Sequence, residues 1–160
     1  MKSYLRPLIV ACTLASAFSS ASAAIFLFIP GVPGQSIDSN HPNWIDLSSF
    51  QVGVSNRVCS GITVTKQIDS SSPVLSTAAL LGGAYPSMTL DFTVGPARRS
   101  YLTYVLSNVT VTGISQSTGG DLISESVAVF ATTLTVTFKP QQPDGSDGTP
   151  VIYSLNCARK

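Results

Sequence analysis

The residues of this chain that could do acid–base or nucleophilic chemistry centre on its only histidine, His41. Asp38 and Asp46 lie close to it in the sequence, and a His–Asp pair beside a hydroxyl group is the usual machinery of a hydrolase. A general base also needs a nucleophile and an orienting partner, and the serine-rich stretches contain no G-x-S-x-G motif. We expect Asp46 to bond local backbone, so the sequence predicts no catalytic residue and no enzyme.

Metal and cofactor chemistry has equally little support in the sequence. A single histidine and three cysteines without a C-x-x-C spacing do not match a zinc site. Residues 144–148 (DGSDG) resemble a calcium loop, because paired carboxylates and glycine turns can supply oxygen ligands. This segment lacks the downstream glutamate of such loops, so we interpret it as a turn. The sequence therefore predicts no metal site and no cofactor.

The first 23 residues have the pattern of a secretory signal peptide. Two basic residues precede an apolar run over residues 8–18, and Ala21-Ser22-Ala23 forms a small-x-small cleavage site. The apolar run is too short to span a membrane comfortably. Lipoprotein processing at Cys12 is a weaker alternative, because the apolar run before this cysteine is short for a signal core. We expect cleavage after Ala23 and a secreted or periplasmic protein that is not attached to the membrane.

The mature chain would have the size of one domain and almost no net charge. Cleavage leaves 160 − 23 = 137 residues, enough for a single sizeable core. The leader contains two of the nine basic residues, so 7 Lys+Arg face 8 Asp+Glu and the net charge is −1. Without a basic face, nucleic acid and anionic membranes are not expected partners.

Two cysteines, Cys59 and Cys157, remain after removal of the leader. An even pair in an oxidising compartment favours one disulfide, with two free thiols as the alternative. The bond would join positions separated by 157 − 59 = 98 residues, an early strand region and the C-terminal tail.

Alternation of apolar and polar residues predicts strands over most of the chain. The predicted strands cover residues 24–29, 45–54, 62–68, 87–94, 101–112, 124–139 (irregular near Ala131) and 151–155. A Ser-Ser-Pro start and a Gly-Gly end predict one helix over residues 72–81. Residues 56–61, 115–120 and 140–150 are predicted loops. This order predicts a mainly β protein, an antiparallel sandwich or barrel with one helix.

The segment after the leader has a specific resemblance. It contains an apolar strand and a Gly/Pro turn (IFLFIPGVPGQS, residues 25–36), then HPNWIDL (residues 41–47), Phe50 and Gly53-Val54-Ser55. These pieces in this order resemble the Hcp (haemolysin co-regulated protein) family of bacterial type VI secretion. The resemblance continues through residues 62–73, 85–90, 101–109, 125–127 and 140–151, and so covers most of residues 24–156.

The resemblance implies a barrel of two antiparallel sheets with one flanking α-helix over residues 24–160. It also implies a non-enzymatic subunit that forms homohexameric rings, which can stack into a hollow tube, and secretion-system or effector proteins as partners. The family's tube subunits typically lack a cleavable leader and have a longer Gly-rich loop where this chain has residues 56–61. We therefore expect a secreted Hcp-like structural protein. The alternative is a monomeric periplasmic or extracellular binding module on the same barrel.

Overall fold

The protein forms an antiparallel β-barrel with one helix on its flank, in a computed structural model that describes residues 23–55, 58–119 and 122–157. The elements are β1 (Ala24–Phe28), β2 (Ile45–Ser55), β3 (Val58–Gln67), α1 (Ser72–Leu81), β4 (Ala84–Val94), β5 (Arg99–Thr118), β6 (Ile123–Phe138) and β7 (Val151–Asn156). The mainly β, antiparallel barrel with one flanking α-helix that the sequence predicted is confirmed. The predicted leader lies outside the described residues.

The strands form one continuous sheet that closes on itself. Their order is β3-β2-β1-β4-β5-β6-β7, and β3 also pairs with β6 from Ile62↔Val129 to Gln67↔Ser124. Strand β7 pairs with the other part of β6, from Thr133↔Asn156 to Phe138↔Val151. Strands β3 and β7 therefore occupy successive parts of the same edge of β6, and β7 extends the sheet beyond the closed barrel.

The interior is filled by side chains from one face of each strand, as the period of two requires. On β3 the buried side chains are Cys59, Ile62, Val64 and Lys66. Helix α1 covers the barrel with Leu75 and Ala78, which belong to the same hydrophobic cluster. Its bounds confirm the predicted helix, although Ser71 makes no side-chain capping bond at its start.

Two predicted loops are largely strand. Strand β3 begins at Val58, where it pairs with Ser55, and β5 extends to Thr118, which pairs with Ile123. Pairing within each hairpin outweighs the low strand propensity of Gly and Ser there. The irregularity predicted in β6 near Ala131 is found in the neighbouring strand instead. Strand β6 is unbroken, whereas Asn108 of the paired strand β5 has a φ of 50°.

The segment between β1 and β2 packs closely over the start of β2 at Gly34. Its N–H donates to Asn43 O at 2.8 Å, and a Cβ at this position would lie 2.6 Å from Ile45 Cα. We expect Gly34→Ala to lower the free energy of unfolding by about 1–3 kcal/mol, the usual cost of forcing extra volume into packed structure. Gly113→Ala is the control, because open space surrounds that position. Equal stability of the two variants in urea unfolding would contradict this expectation.

Candidate functional site

His41 is buried and lies between two carboxylates. Its Nδ1 is 2.9 Å from Asp38 Oδ1 and its Nε2 is 2.7 Å from Asp91 Oδ2. The ring stacks on Phe26 at 4.1 Å between centroids, and Trp44 meets it edge-on. Both ring nitrogens face carboxylates, so neither faces a hydroxyl group that could act as a nucleophile. The arrangement fixes the histidine in place.

Only one of the two carboxylates that lie near His41 in the sequence is its partner in the structure. Asp38 is a partner, whereas Asp46 is exposed on β2. The second partner is Asp91 of β4, whose Oδ1 accepts hydrogen bonds from the hydroxyls of Ser100 and Thr103. Ser100 therefore donates to a carboxylate and not to the imidazole, an order that does not activate a serine nucleophile.

The His41 network connects the segment before β2 to strand β4. The hydrogen bond with the His41 ring lowers the pKa of the Asp38 carboxyl, against the opposing effect of burial. The Asn40 N–H and the charges of His41 and Arg98 lower this pKa further, and Arg98 Nε lies 3.3 Å from Asp38 Oδ2. We infer that the network holds the segment of residues 33–44 against the barrel.

We expect His41→Ala to lower the free energy of unfolding by about 1.5–3 kcal/mol, because hydrogen bonds to charged groups contribute in this range. Urea unfolding followed by the fluorescence of Trp44 would measure the change. Asp46→Asn is the matched control, since it removes a carboxylate from the same region that is exposed. A loss in the control as large as in His41→Ala would refute the special role of the histidine.

A second polar cluster lies at the start of helix α1, and its central ion pair is fully buried. Lys66 and Glu125 are both 0% exposed, and Lys66 Nζ lies 2.8 Å from Glu125 Oε2. The same ammonium lies 2.8 Å from Asp69 Oδ1 and 2.9 Å from Ser72 Oγ. Gln116 Nε2 donates to the other oxygen of Glu125 at 2.7 Å. The cluster thus joins β3, β5, β6 and the first turn of α1.

The partners of the Glu125 carboxyl favour its ionised form, although the side chain is buried. Burial raises its pKa, but hydrogen bonds from Lys66, Ser72 and Gln116, with the charge of Lys66, outweigh burial and hold the pKa below its usual value. This ion pair was not predicted from the sequence. The sequence feature that indicates such a pair is that Lys66 shares the apolar face of a strand with Ile62 and Val64. A lysine buried on such a face requires a charged or polar partner.

The two cysteines of the mature chain lie side by side. Cys59 on β3 and Cys157 directly after β7 have their Cα atoms 4.8 Å apart, within the range of about 4.4–6.8 Å that disulfides span. The Cys157 N–H also donates to Thr132 O of β6 at 2.8 Å. This separation agrees with the predicted pair, and the disulfide remains a prediction for the protein in solution.

The Asp-Gly segment after β6 forms a turn. Asp144 Oδ1 accepts hydrogen bonds from the amide and hydroxyl of Ser146, and these bonds lower the pKa of Asp144. Asp147 pairs with Arg99.

Within residues 23–55, 58–119 and 122–157, no group of three His, Cys, Asp or Glu side chains is placed to hold a metal ion. In the same ranges no helix is long and apolar enough to cross a membrane.

Several large apolar side chains are exposed on the outer surface. The exposed large apolar side chains on helices and strands are Phe28, Val54, Val74, Leu80, Leu81, Ile123, Phe138, Val151, Ile152 and Tyr153. Three of them are consecutive on β7, where Ile152 is 65% exposed. Contiguous exposed apolar surface marks interaction sites. The features of this protein that are suited to function are therefore surfaces rather than a catalytic cleft.

The comparisons with known proteins agree with this description. The model of the family described as "Type VI secretion system effector, Hcp" matches residues 26–139. A curated relative, "Protein hcp1" of Pseudomonas aeruginosa, is 30% identical over 151 residues, which cover 82% of this chain and 93% of that protein. The chain belongs to the Hcp family. The predicted family is thus confirmed, over almost the whole barrel.

Solved Hcp structures share the fold of this Hcp chain. Hcp1 from Salmonella typhimurium is 24% identical, with a TM-score of 0.76 over 84% of this chain and 94% of that one. A type VI secretion system effector from Yersinia pestis is 23% identical, with a TM-score of 0.73 over 82% and 98%. Hcp proteins are structural tube proteins of type VI secretion and not enzymes. The predicted non-enzymatic, structural function is therefore confirmed.

Proposed function

We propose that this Hcp protein is an exported subunit that assembles as a homohexameric ring. The observation that supports the proposal most directly is the family match over residues 26–139, which includes most of β1, all of β2 to β6 and the helix. Ring formation is a property of the family, and the exposed apolar side chains of β7 and β6 offer surface for it. Stacked rings and bound secretion-system or effector proteins would be the further partners.

Export through the leader is part of the proposal. Residues 1–23 have the signal-peptide pattern, and β1 begins at Ala24. Cleavage after Ala23 would therefore leave the first strand of the barrel complete. Protein sequencing of the exported form is expected to give Ala24 as its first residue. An exported form that begins at Met1 would contradict the proposed processing.

The proposed disulfide fits the same compartment. Cys59 and Cys157 are already at bonding distance in the fold, so oxidation requires little rearrangement. Secreted and periplasmic proteins keep such bonds, whereas cytosolic proteins rarely form them.

Electron microscopy of the negatively stained mature protein tests the proposed ring. We expect annular particles with sixfold symmetry. Uniform particles of single-subunit size would contradict the ring and favour the alternative, a monomeric extracellular binding module on the Hcp barrel.

A further inference from the structure

Several strand edges lack a partner strand in the described part of the chain, among them those of β7 and β2. Strand β7 is last in the sheet order and pairs only with β6. Strand β2 pairs with β1 only from Ile45 to Leu47, so its residues 48–55 have β3 on one side and no strand on the other. Because β1 begins at the predicted cleavage point, removal of the leader would leave this side of β2 without a partner strand among the described residues.

Both edges also lack the usual protection against pairing. Natural edge strands are commonly protected by lysine, other charges or proline. Strand β7 (VIYSLN) and residues 48–55 of β2 (SSFQVGVS) contain no charged residue and no proline. Apolar side chains are exposed on both, with Ile152 at 65% and Val54 at 54%. Unprotected edges of this kind are suited to pairing with another strand.

The cysteine pair connects the β2–β3 hairpin to the end of β7. Cys59 lies in the β2–β3 hairpin, where it pairs with Val54, and Cys157 follows the last residue of β7. They meet beside Thr132, at the point where the edge of β6 passes from β3 to β7. Strand β7 buries little side-chain surface besides Leu155, so the bond would be its main attachment outside the β6 ladder.

We propose that β7 of one copy pairs with residues 48–55 of β2 on the next copy, and that the Cys59–Cys157 bond makes this contact dependent on oxidation. The inference rests on the proposed ring. The two edges differ, so the contact is heterologous, and a heterologous contact repeated around a closed rotation gives a ring. Neither edge is charged, so no repulsion opposes their approach. The bond fixes the end of β7 relative to the β2–β3 hairpin within each subunit.

The redox step is a thiol–disulfide exchange. An oxidising protein disulfide accepts two electrons and two protons from the two thiols and becomes a dithiol, while the Cys59–Cys157 bond forms. Reduction by a small dithiol reverses the step, and the reductant becomes a disulfide. In the reduced protein we expect β7 to open more often, because local stability follows the number of attachments that a strand makes.

Single lysine substitutions test the contact itself. We expect oxidised mature Ile152→Lys and Val54→Lys to lose the six-subunit mass in light scattering while circular dichroism shows an unchanged fold. Leu80→Lys is the matched control, because it puts the same charge on an apolar residue of α1 that is 84% exposed. A ring that persists in both edge variants, or that is lost equally in Leu80→Lys, would overturn the edge contact.

Reduction tests the dependence on the bond. We expect the wild type treated with a small dithiol, and the Cys59→Ser/Cys157→Ser variant, to stay folded but to shift to lower mass. Hydrogen exchange in the reduced protein is expected to be faster at residues 151–156 than in β4. A reduced ring of full size, or equal exchange in the two strands, would overturn the redox dependence. A wild-type oxidised protein of single-subunit mass would instead remove the proposed ring, so the two failures are distinguishable.

Discussion

Replacement of Lys66 by methionine is expected to lower the free energy of unfolding by about 3–5 kcal/mol, the usual result of removing one partner from a buried ion pair. The methionine leaves Glu125 buried with a negative charge and without its ammonium partner. The volume of the side chain is nearly kept, so the loss would arise from the uncompensated charge and not from a cavity.

Urea unfolding at neutral pH would measure this effect. Lys139→Met is the matched control, since Lys139 is only half-buried at the end of β6, and we expect a change within about 0.5 kcal/mol there. The variant Lys66→Met/Glu125→Leu should recover part of the lost stability, because an apolar pair of similar size replaces the ion pair. Equal stability of Lys66→Met and its control would show that the buried pair contributes nothing.

The pH dependence of stability provides a separate check on Glu125. Its pKa is lower in the folded protein than in the unfolded chain, so its carboxylate stabilises the fold above the unfolded pKa. That contribution is lost as the pH falls through the folded pKa. In Lys66→Met only the hydrogen bonds from Ser72 and Gln116 would oppose the effect of burial on this pKa, so the protonated form would be more favoured than in the wild type. We therefore expect the stability gap between wild type and variant to narrow as the pH is lowered from 7 towards 4. A constant gap would contradict this assignment.

The variant Cys59→Ser/Cys157→Ser is expected to lose on the order of 4–5 kcal/mol relative to the oxidised wild type. The bond would close a loop of 98 residues, and the chain-entropy model assigns this amount to restriction of the unfolded chain, as an upper figure. Both cysteines are buried and their replacements are small, so the folded barrel should be retained.

Mass spectrometry of the unreduced mature protein comes first in this test. A loss of two hydrogens and a linked pair of peptides is expected, and two thiols that can be alkylated would exclude the bond. Urea unfolding with and without a dithiol then gives the stability difference. The double serine variant is the control, because the reductant should leave its stability unchanged.

Local sequence patterns were sufficient to predict most of the fold. The alternation along β3 and β6 places apolar residues on one face, and the Pro and Gly signals define helix α1. The ends of the hairpins were harder to predict, because pairs such as Ser55↔Val58 and Thr118↔Ile123 depend on the partner strand. The Ser and Gly residues in segments 56–61 and 115–120 suggest loops when the partner strand is not known.

The polar clusters could not be derived from neighbouring residues. Lys66 meets Glu125 across 59 positions, and His41 meets Asp91 across 50. Such contacts depend on the closure of the barrel, which no local pattern specifies. The cysteine pair was predictable without the fold only because two cysteines remain after the leader, so a single pairing exists within the chain.

Light scattering coupled to size exclusion on the oxidised mature protein, residues 24–160, tests the central proposal most directly. The proposed function predicts one species with six times the subunit mass. A single-subunit mass at high protein concentration would contradict the ring and would make this member of the Hcp family a monomeric barrel.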